Sequence, residues 1–295
     1  SIVVFLCFWG LFQALWLTLG RQIDGSTEAR IRLEDIHVLE PPQWVESRFV
    51  QDALATHPDL NSLKAGADGT PYLSIHTPDL VKKLTVAFES HPWTQSVESI
   101  RLEYPAKITV KIVFRRPVAV VAVPKELYPE FNGGGFPIDA NGVLLPIGYF
   151  QKHDTLLYNY PWIEGITSAP MRSYGEPWND PLVIEAAMLA DYLHDIIQPM
   201  SIRRIRVREK PDKEPGGLYD LETIQGTRIY WGEFPLSGNL QAKNLGSTPD
   251  RFKKIKEAVL RDQENKKARM RWLVTQYKSL DAVPSDMKPI DLSRH

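Results

Sequence analysis

Ser1 to Gly20 reads SIVVFLCFWGLFQALWLTLG, a run without one charged side chain in which only Gln13 and Thr18 are appreciably polar. A helix rises about 1.5 Å per residue, so about 20 such residues cross the ~30 Å hydrocarbon core of a bilayer. A stretch like this is poorly suited to the surface of a globular unit, and it constrains the chain more than any other feature. Trp16 lies near one end, where an amphipathic ring suits the membrane interface, and Arg21 ends the run. A cleaved signal peptide is the competing reading. The apolar stretch is long for the core of a signal and no A-x-A site follows it, although Thr18-Leu19-Gly20 is a passable small-residue ending. The sequence therefore predicts a retained transmembrane anchor over 1–21, with residues 1–20 in the lipid bilayer. Cys7, the single cysteine, falls inside this run, which excludes a disulfide framework and a cysteine zinc site. A cysteine-free remainder suits an extracytoplasmic compartment.

At about 150 residues per domain, 295 residues suggest two domains. Residues 22–30 are polar with Gly and Ser and read as a linker. Ile31–Leu39 alternates imperfectly as a strand and Pro41-Pro42 breaks it. Val45, Phe49, Val50, Ala53 and Leu54 recur at helical spacing. A Gly/Asp-rich loop then leads to Thr77-Pro78-Asp79, read as N-cap, first helical residue and first-turn acid, ahead of a face built by Leu80, Leu84 and Phe88. Ile100, Leu102 and Tyr104, then Ile108, Val110, Ile112 and Phe114, alternate as two strands. Strand, helix, helix, strand, strand predicts a small two-layer β-α-α-β-β domain over 31–116.

Residues 117–295 read as a larger, strand-rich α+β domain with two helices. Val118–Val123 is an apolar run fit for a buried strand, and Asn141-Gly142 predicts a type I′ hairpin. Asp180-Pro181 opens a helix with Ile184, Met188 and Tyr192 on one stripe and Leu189, Leu193 and Ile196 beside it. Strands are expected at Ile202–Arg208, Leu218–Ile224 and Thr227–Trp231. Thr248-Pro249-Asp250 starts a long helix through about Tyr277, and Pro289–Arg294 reads as a terminal strand.

The charges exclude some function classes and the motifs exclude others. A net charge of -1 lacks the basic surplus that nucleic acid requires. The seven histidines are scattered, with no local metal spacing. No P-loop, G-x-G-x-x-G or G-x-S-x-G occurs, and a proline rather than a helix follows Gly133-Gly134-Gly135. Ser285-Asp286-Met287-Lys288 matches S-x-x-K, but S-D-N and K-T-G are missing and Pro284 and Pro289 flank it, so chance is the better reading. No catalytic, metal or cofactor residue is assigned, no small-molecule substrate is implied, and the chain is not expected to be an enzyme. Between Asp250 and Arg271 stand nine Lys/Arg and four Asp/Glu, read first as the solvated face of the long helix and second as a contact for anionic lipid, cell-wall polymer or an acidic partner.

His91-Pro92-Trp93, Val97, Ile100-Arg101, Tyr104-Pro105, Ile108-Thr109-Val110 and Arg115-Arg116-Pro117-Val118-Ala119 together resemble the FtsQ/DivIB family of bacterial cell-division proteins. Ile138–Leu144 is similar to the next hairpin in that family, and Gly226–Gly232 and Ile290-Asp291-Leu292 are fainter likenesses. The specific part is about 91–145. The chain departs from the family in segments that look like insertions, Tyr128–Gly135 and Pro235–Ser247, and in Asp291-Leu292-Ser293-Arg294, where the family has Asp-Leu-Arg. The resemblance implies a cytoplasmic tail ahead of Ser1, one transmembrane helix, a POTRA domain and a β domain outside the membrane. Trp93, Tyr104 and Phe114 are then core residues, while Pro105 and Pro117 set turns.

That family implies a non-enzymatic, single-pass scaffold in the bacterial plasma membrane at the division site, holding bitopic partners similar to FtsB and FtsL. The expected partner-binding residues are Ile290, Asp291, Leu292, Ser293 and Arg294, a strand near the sheet edge to which a partner segment adds. Arg294 is expected to pair with an acidic side chain of that segment. The alternatives are a POTRA-bearing protein that assists envelope secretion or assembly, and a membrane-anchored cell-wall enzyme.

Overall fold

A computed structural model describes residues 9, 12–13, 30–60, 64–65, 71–126, 134–147, 159–170, 173–209, 217–234 and 249–293. The chain is α+β and divides into two compact units, Ser1–Arg115 and Arg116–His295. The predicted anchor lies outside the described residues except for Trp9, Phe12 and Gln13, as does the linker except for Arg30. Among the described residues no helix is long and apolar enough to cross a membrane.

The first unit runs β1 (Arg30–Arg32), a 3-10 turn, β2 (Ile36–Val38), α1 (Phe49–Thr56), β3 (Lys64–Ala65), β4 (Pro71–Ser74), α2 (Leu80–Glu89), β5 (Thr94–Glu103) and β6 (Lys107–Phe114). Its main sheet has the order β2-β6-β5, with β2 parallel and β5 antiparallel to β6. The two-residue period of β6 sends Ile108, Val110 and Ile112 into the core and leaves Lys107 and Lys111 outside. Phe49, Leu54, Leu84, Phe88 and Trp93 supply the rest of that core, each worth about 1.5–3 kcal/mol when fully buried. Phe49 joins the layers, its ring 5.9 Å from that of Phe88 and 5.3 Å from that of Phe114.

Four details correct the sequence reading here. The strand expected over 31–39 is broken at Leu33–Asp35, because Asp35 turns back to accept the Arg32 N–H at 2.9 Å. The expected loop before Thr77 contains β3 and β4, which join β1 in a small second sheet where Ile31 and Leu73, both buried, are in register. The α2 helix starts at Leu80 rather than Pro78, since Thr77 accepts the Leu80 N–H in a turn of its own and Asp79 sits at φ 55 before the first helical residue. Tyr104 is 85% exposed, not core, because β5 ends at Glu103 and the ring stands on the turn beyond it.

The second unit runs β7 (Pro117–Val123), β8 (Gly134–Asp139), β9 (Trp162–Glu164), α3 (Pro181–Tyr192), a one-turn α4 (His194–Ile197), β10 (Ile202–Glu209), β11 (Gly217–Thr223), β12 (Arg228–Glu233), α5 (Pro249–Tyr277) and β13 (Ile290–Asp291). Its seven strands among the described residues form one sheet in the order β13-β12-β11-β10-β9-β7-β8. Short connections make β10, β11 and β12 antiparallel, whereas β13 returns parallel to β12 after the crossover that contains α5. Val121, Ile163, Ile205, Leu221, Ile229 and Ile290 share one row by register and are buried. The strand β9 was not anticipated; its three residues lie between Pro161 and Gly165, too few to show a period.

The Asn141-Gly142 turn is not type I′, which needs positive φ at both residues. Only Gly142 has it, at φ 70. The buried Asp139 carboxylate closes the turn instead, accepting the N–H groups of Asn141 and Val143, each at 2.9 Å. Asp180 caps α3 as expected, taking the Leu182 N–H at 2.9 Å. That helix is buried on more than the foreseen stripe: Ile184, Met188 and Tyr192 are half-buried, whereas Ala186, Ala187, Leu189 and Ala190 are fully covered. Glu185 is also buried, 1% exposed, and accepts the Gly217 N–H at 3.0 Å and the Tyr219 hydroxyl at 2.7 Å.

A bulge in β12 docks α5. Register shifts between Tyr219 and Asp220, leaving Trp231 as an extra residue beside Gly232 at φ 85. Trp231 turns wholly inward and its indole N–H donates to Gln263 of α5 at 2.8 Å. Beside it Lys267 donates to the Tyr192 carbonyl at 2.8 Å and pairs with Asp195 at 2.7 Å, and Arg271 also pairs with Asp195. The basic stretch is therefore not one solvated face: Lys266 and Lys267 are buried and structural. The side chains of Arg251, Lys253, Lys254 and Lys256 lie outside the described ones.

Candidate partner-binding edge

The predicted site residues fall on β13 and the residues just after it. Ile290 is 4% exposed and Leu292 0%, while Asp291 and Ser293 are exposed, which is the two-residue alternation of a strand. Pairing runs Ile229 to Ile290 and Tyr230 to Asp291, extended by the Leu292 N–H donating to the Tyr230 carbonyl at 2.8 Å. Ordered strand therefore covers two residues, fewer than the span Pro289–Arg294. Arg294 lies outside the described residues.

The segment beyond β13 is fastened locally. Asp291 Oδ1 accepts the Ser293 N–H at 2.8 Å and the Ser293 hydroxyl at 2.6 Å. Ser293 passes close over Gly232: a Cβ built there would stand 3.0 Å from Ser293 Cβ and 3.2 Å from its Cα. Gly232 thus serves twice, since its positive φ makes the bulge and its missing side chain admits the terminal segment.

The face of the sheet opposite the buried row carries a charge lattice. Arg204 reaches Glu164 at 2.8 Å and Glu222 at 2.7 Å, Arg206 reaches Glu164 at 3.4 Å and Glu222 at 2.8 Å, and Arg208 reaches Asp220 at 2.9 Å. The Glu222 side chain is only 9% exposed, and both its oxygens are engaged by guanidinium groups. Hydrogen bonding to Glu222, with Glu164 adding to it, holds the Arg204 guanidinium above its ordinary range. Isolated exposed pairs contribute little, whereas a lattice with a nearly buried carboxylate at its centre is costly to break.

Between this lattice and β13 lies an open hollow lined by Gln225, Gly226, Thr227, Arg228, Tyr230, Lys288 and Pro289. Lys288 donates to the Asp281 carbonyl at 2.6 Å. Arg228 is exposed and has no ion-pair or hydrogen-bond partner among the described residues. Sequence reasoning did not single out Arg228 or the lattice. The signal was present in Arg204, Arg206 and Arg208, which alternate with Ile205 and Val207 and so share one face.

Ser285–Met287 forms a 3-10 turn rather than the start of a longer helix, and among the described residues no three His, Cys, Asp or Glu side chains stand together to hold a metal ion. The arrangement offers backbone groups at a sheet edge, a cationic hollow and a firm support. Compared with models of known protein families and with curated proteins, the chain matches none.

Proposed function

We propose that the chain is a scaffold of the bacterial cell-division machinery, anchored in the plasma membrane through residues 1–20 and binding bitopic partners similar to FtsB and FtsL through its extracytoplasmic units. The first unit is read as a POTRA domain, a reading supported by its order β2-α1-α2-β5-β6 and its sheet order β2-β6-β5. The resemblance to FtsQ/DivIB rests on the Pro-Trp to Arg-Pro-Val-Ala run, which spans β5, β6 and the start of β7.

The observation that carries the proposal is that, among the described residues, β13 stands last in the sheet order, with β12 as its one sheet neighbour. Strand edges recruit further strands, and main-chain hydrogen bonds then supply affinity while alternate side chains supply selectivity. The activity is binding alone. An anchor confines the units to the membrane surface and raises the effective concentration of partners that share it.

Depletion of the protein from its cell tests the proposal. Filaments without septa are expected. Loss of envelope proteins at normal cell length would instead favour assistance in secretion, and lysis without filaments would favour a cell-wall enzyme; either outcome overturns the scaffold reading.

A further inference from the structure

We infer that the first unit takes an aminophosphate lipid headgroup, of the phosphatidylethanolamine type, in a hollow at the end where the chain enters it. The inference rests on the anchor over residues 1–20, proposed above, and goes further by giving the first unit a lipid contact of its own.

Three observations lead to it. The hollow, of about 380 Å³, lies between the turn after β1 and the turn joining β5 to β6, and is lined chiefly by Arg30, Arg32, Glu34, Asp35, Pro105 and Lys107. That volume falls in the range of small-molecule sites. Its charges are of both signs and loosely engaged: Arg32 meets Glu34 at 3.3 Å and Lys107 meets Glu103 at 4.0 Å, each side chain about half exposed or more. Such pairs hold weakly, so an entering ligand redistributes them at small cost. On the same turn as Pro105, Tyr104 is 85% exposed, and Leu102 just before it is exposed as well. An exposed ring beside an aliphatic and several basic side chains suits the headgroup level of a bilayer.

Charge and tether select the occupant. A purely anionic group would meet Glu34 and Asp35, and a cationic one would meet Arg30, Arg32 and Lys107. A headgroup with a phosphate and a primary ammonium answers both sets, since its phosphate oxygens accept from the cations and its ammonium donates to the carboxylates. A trimethylated choline head carries the same charges but no N–H, so it forfeits the second set of bonds. Arg30 opens β1 nine positions after Arg21, the residue that ends the apolar run. A fully extended chain of that length spans about 32 Å at most, so the entry end of the unit stays near the bilayer that holds the anchor. The wall of the hollow is braced from within. Asp35 accepts the Arg32 N–H at 2.9 Å, and the Arg30 guanidinium lies 5.0 Å from the centre of the Tyr72 ring.

The test uses the full chain reconstituted into vesicles of phosphatidylcholine mixed in equal parts with phosphatidylethanolamine or with phosphatidylglycerol. A benzophenone side chain placed at Tyr104 captures neighbouring lipid under illumination, and mass spectrometry of the adduct gives the lipid class. In the first mixture phosphatidylethanolamine is expected to exceed phosphatidylcholine about five-fold or more, and in the second phosphatidylglycerol is expected to show no such excess. Glu34→Gln, at a side chain 71% exposed, should lower the ethanolamine-to-choline ratio about two-fold or more, while Arg32→Gln should lower the capture of both lipids. Equal capture of the ethanolamine and choline lipids, a ratio unmoved by Glu34→Gln, capture unmoved by Arg32→Gln, or an excess of phosphatidylglycerol overturns the inference. Alkaline carbonate extraction separates it from the anchor. A chain that stays with the vesicles but shows no headgroup preference keeps the anchor and loses the hollow; a chain stripped from them has no anchor, and the inference falls with it.

Discussion

Arg228 of β12 and Glu222 of β11 face each other in register, yet no ion pair joins them. Glu222 bridges Arg204 and Arg206 on its other side. The two residues should therefore differ sharply in their effect on folding. Arg228→Gln is expected to change stability by less than about 0.5 kcal/mol. Glu222→Gln should cost about 1–3 kcal/mol, since it weakens two charge-assisted bonds at once and leaves two guanidinium groups sharing Glu164. Urea unfolding of the two variants checks this, and equal losses would mean that Arg228 is part of the lattice after all.

Trp93 is 4% exposed where α2 gives way to β5. Trp93→Ala should cost about 3–5 kcal/mol. The loss should be confined to the first unit, so that proteolysis of the variant releases an intact second unit. A melting curve like that of the unaltered protein would show that the ring is not a core residue.

How far the sequence led depends on the scale of the feature. Longer elements were legible: β6 through its two-residue alternation, β7 as an unbroken apolar run and α5 from its Thr248-Pro249-Asp250 start. Features set by contacts between distant residues were not. Trp231 reads as one more strand residue, and only the bulge at Gly232 and the arrival of Gln263 explain why it is wholly buried. Lys267 looks like surface charge until Tyr192 and Asp195 are placed beside it, and Lys266 until it is found over the Trp231 ring. The edge position of β13 was inferred from its place after a long helix, but its brevity depends on the Asp291 bond to the Ser293 N–H, a local competitor of the ladder.

His91 gives the first unit a dependence on pH. Burial pushes its imidazole down from 6.5 to about 4, against the pull of Asp52. Its ring packs on Phe49 with centroids 4.5 Å apart, and Nδ1 accepts the Trp93 N–H, which needs the neutral form. A base whose folded value lies below its unfolded value contributes its full stability above about 6.5, and that stability drains away as pH falls towards about 4. The loss should be about 1–2 kcal/mol after allowance for the partly open site. Unfolding free energies of the unaltered protein and His91→Gln, compared across that window, should converge as the pH is lowered; parallel curves would exclude His91 as the cause.

Gly232 sets the path of the terminal segment. Any Cβ there meets Ser293 at 3.0 Å and must also accept φ 85. Gly232→Ala should therefore cost about 1–3 kcal/mol and lift the segment after β13. Amide exchange at Leu292, whose N–H is bound to Tyr230, should speed up well before that at Leu221 in the centre of the sheet. Unchanged exchange at Leu292 would mean that the bulge and the terminal segment are independent.

The edge reading is tested most directly in cells. Ser293 is exposed just beyond β13, whereas Glu98 is exposed on β5 of the other unit, where it pairs with Lys111 at 2.6 Å. A segment that adds to β13 must pass within side-chain reach of Ser293, and it has no reason to approach Glu98. Photo-crosslinking residues at Ser293 and Arg294 should therefore capture a small bitopic membrane protein, and one at Glu98 should not. The Asp291 carboxylate now holds the Ser293 N–H, so an incoming strand must displace it. Asp291→Ala removes that competitor and should raise the crosslinked yield at Ser293 rather than lower it. Were Asp291 instead a direct contact of the partner, the same substitution would lower the yield, and capture from Glu98 with Ser293 and Arg294 silent would move the interface to the first unit.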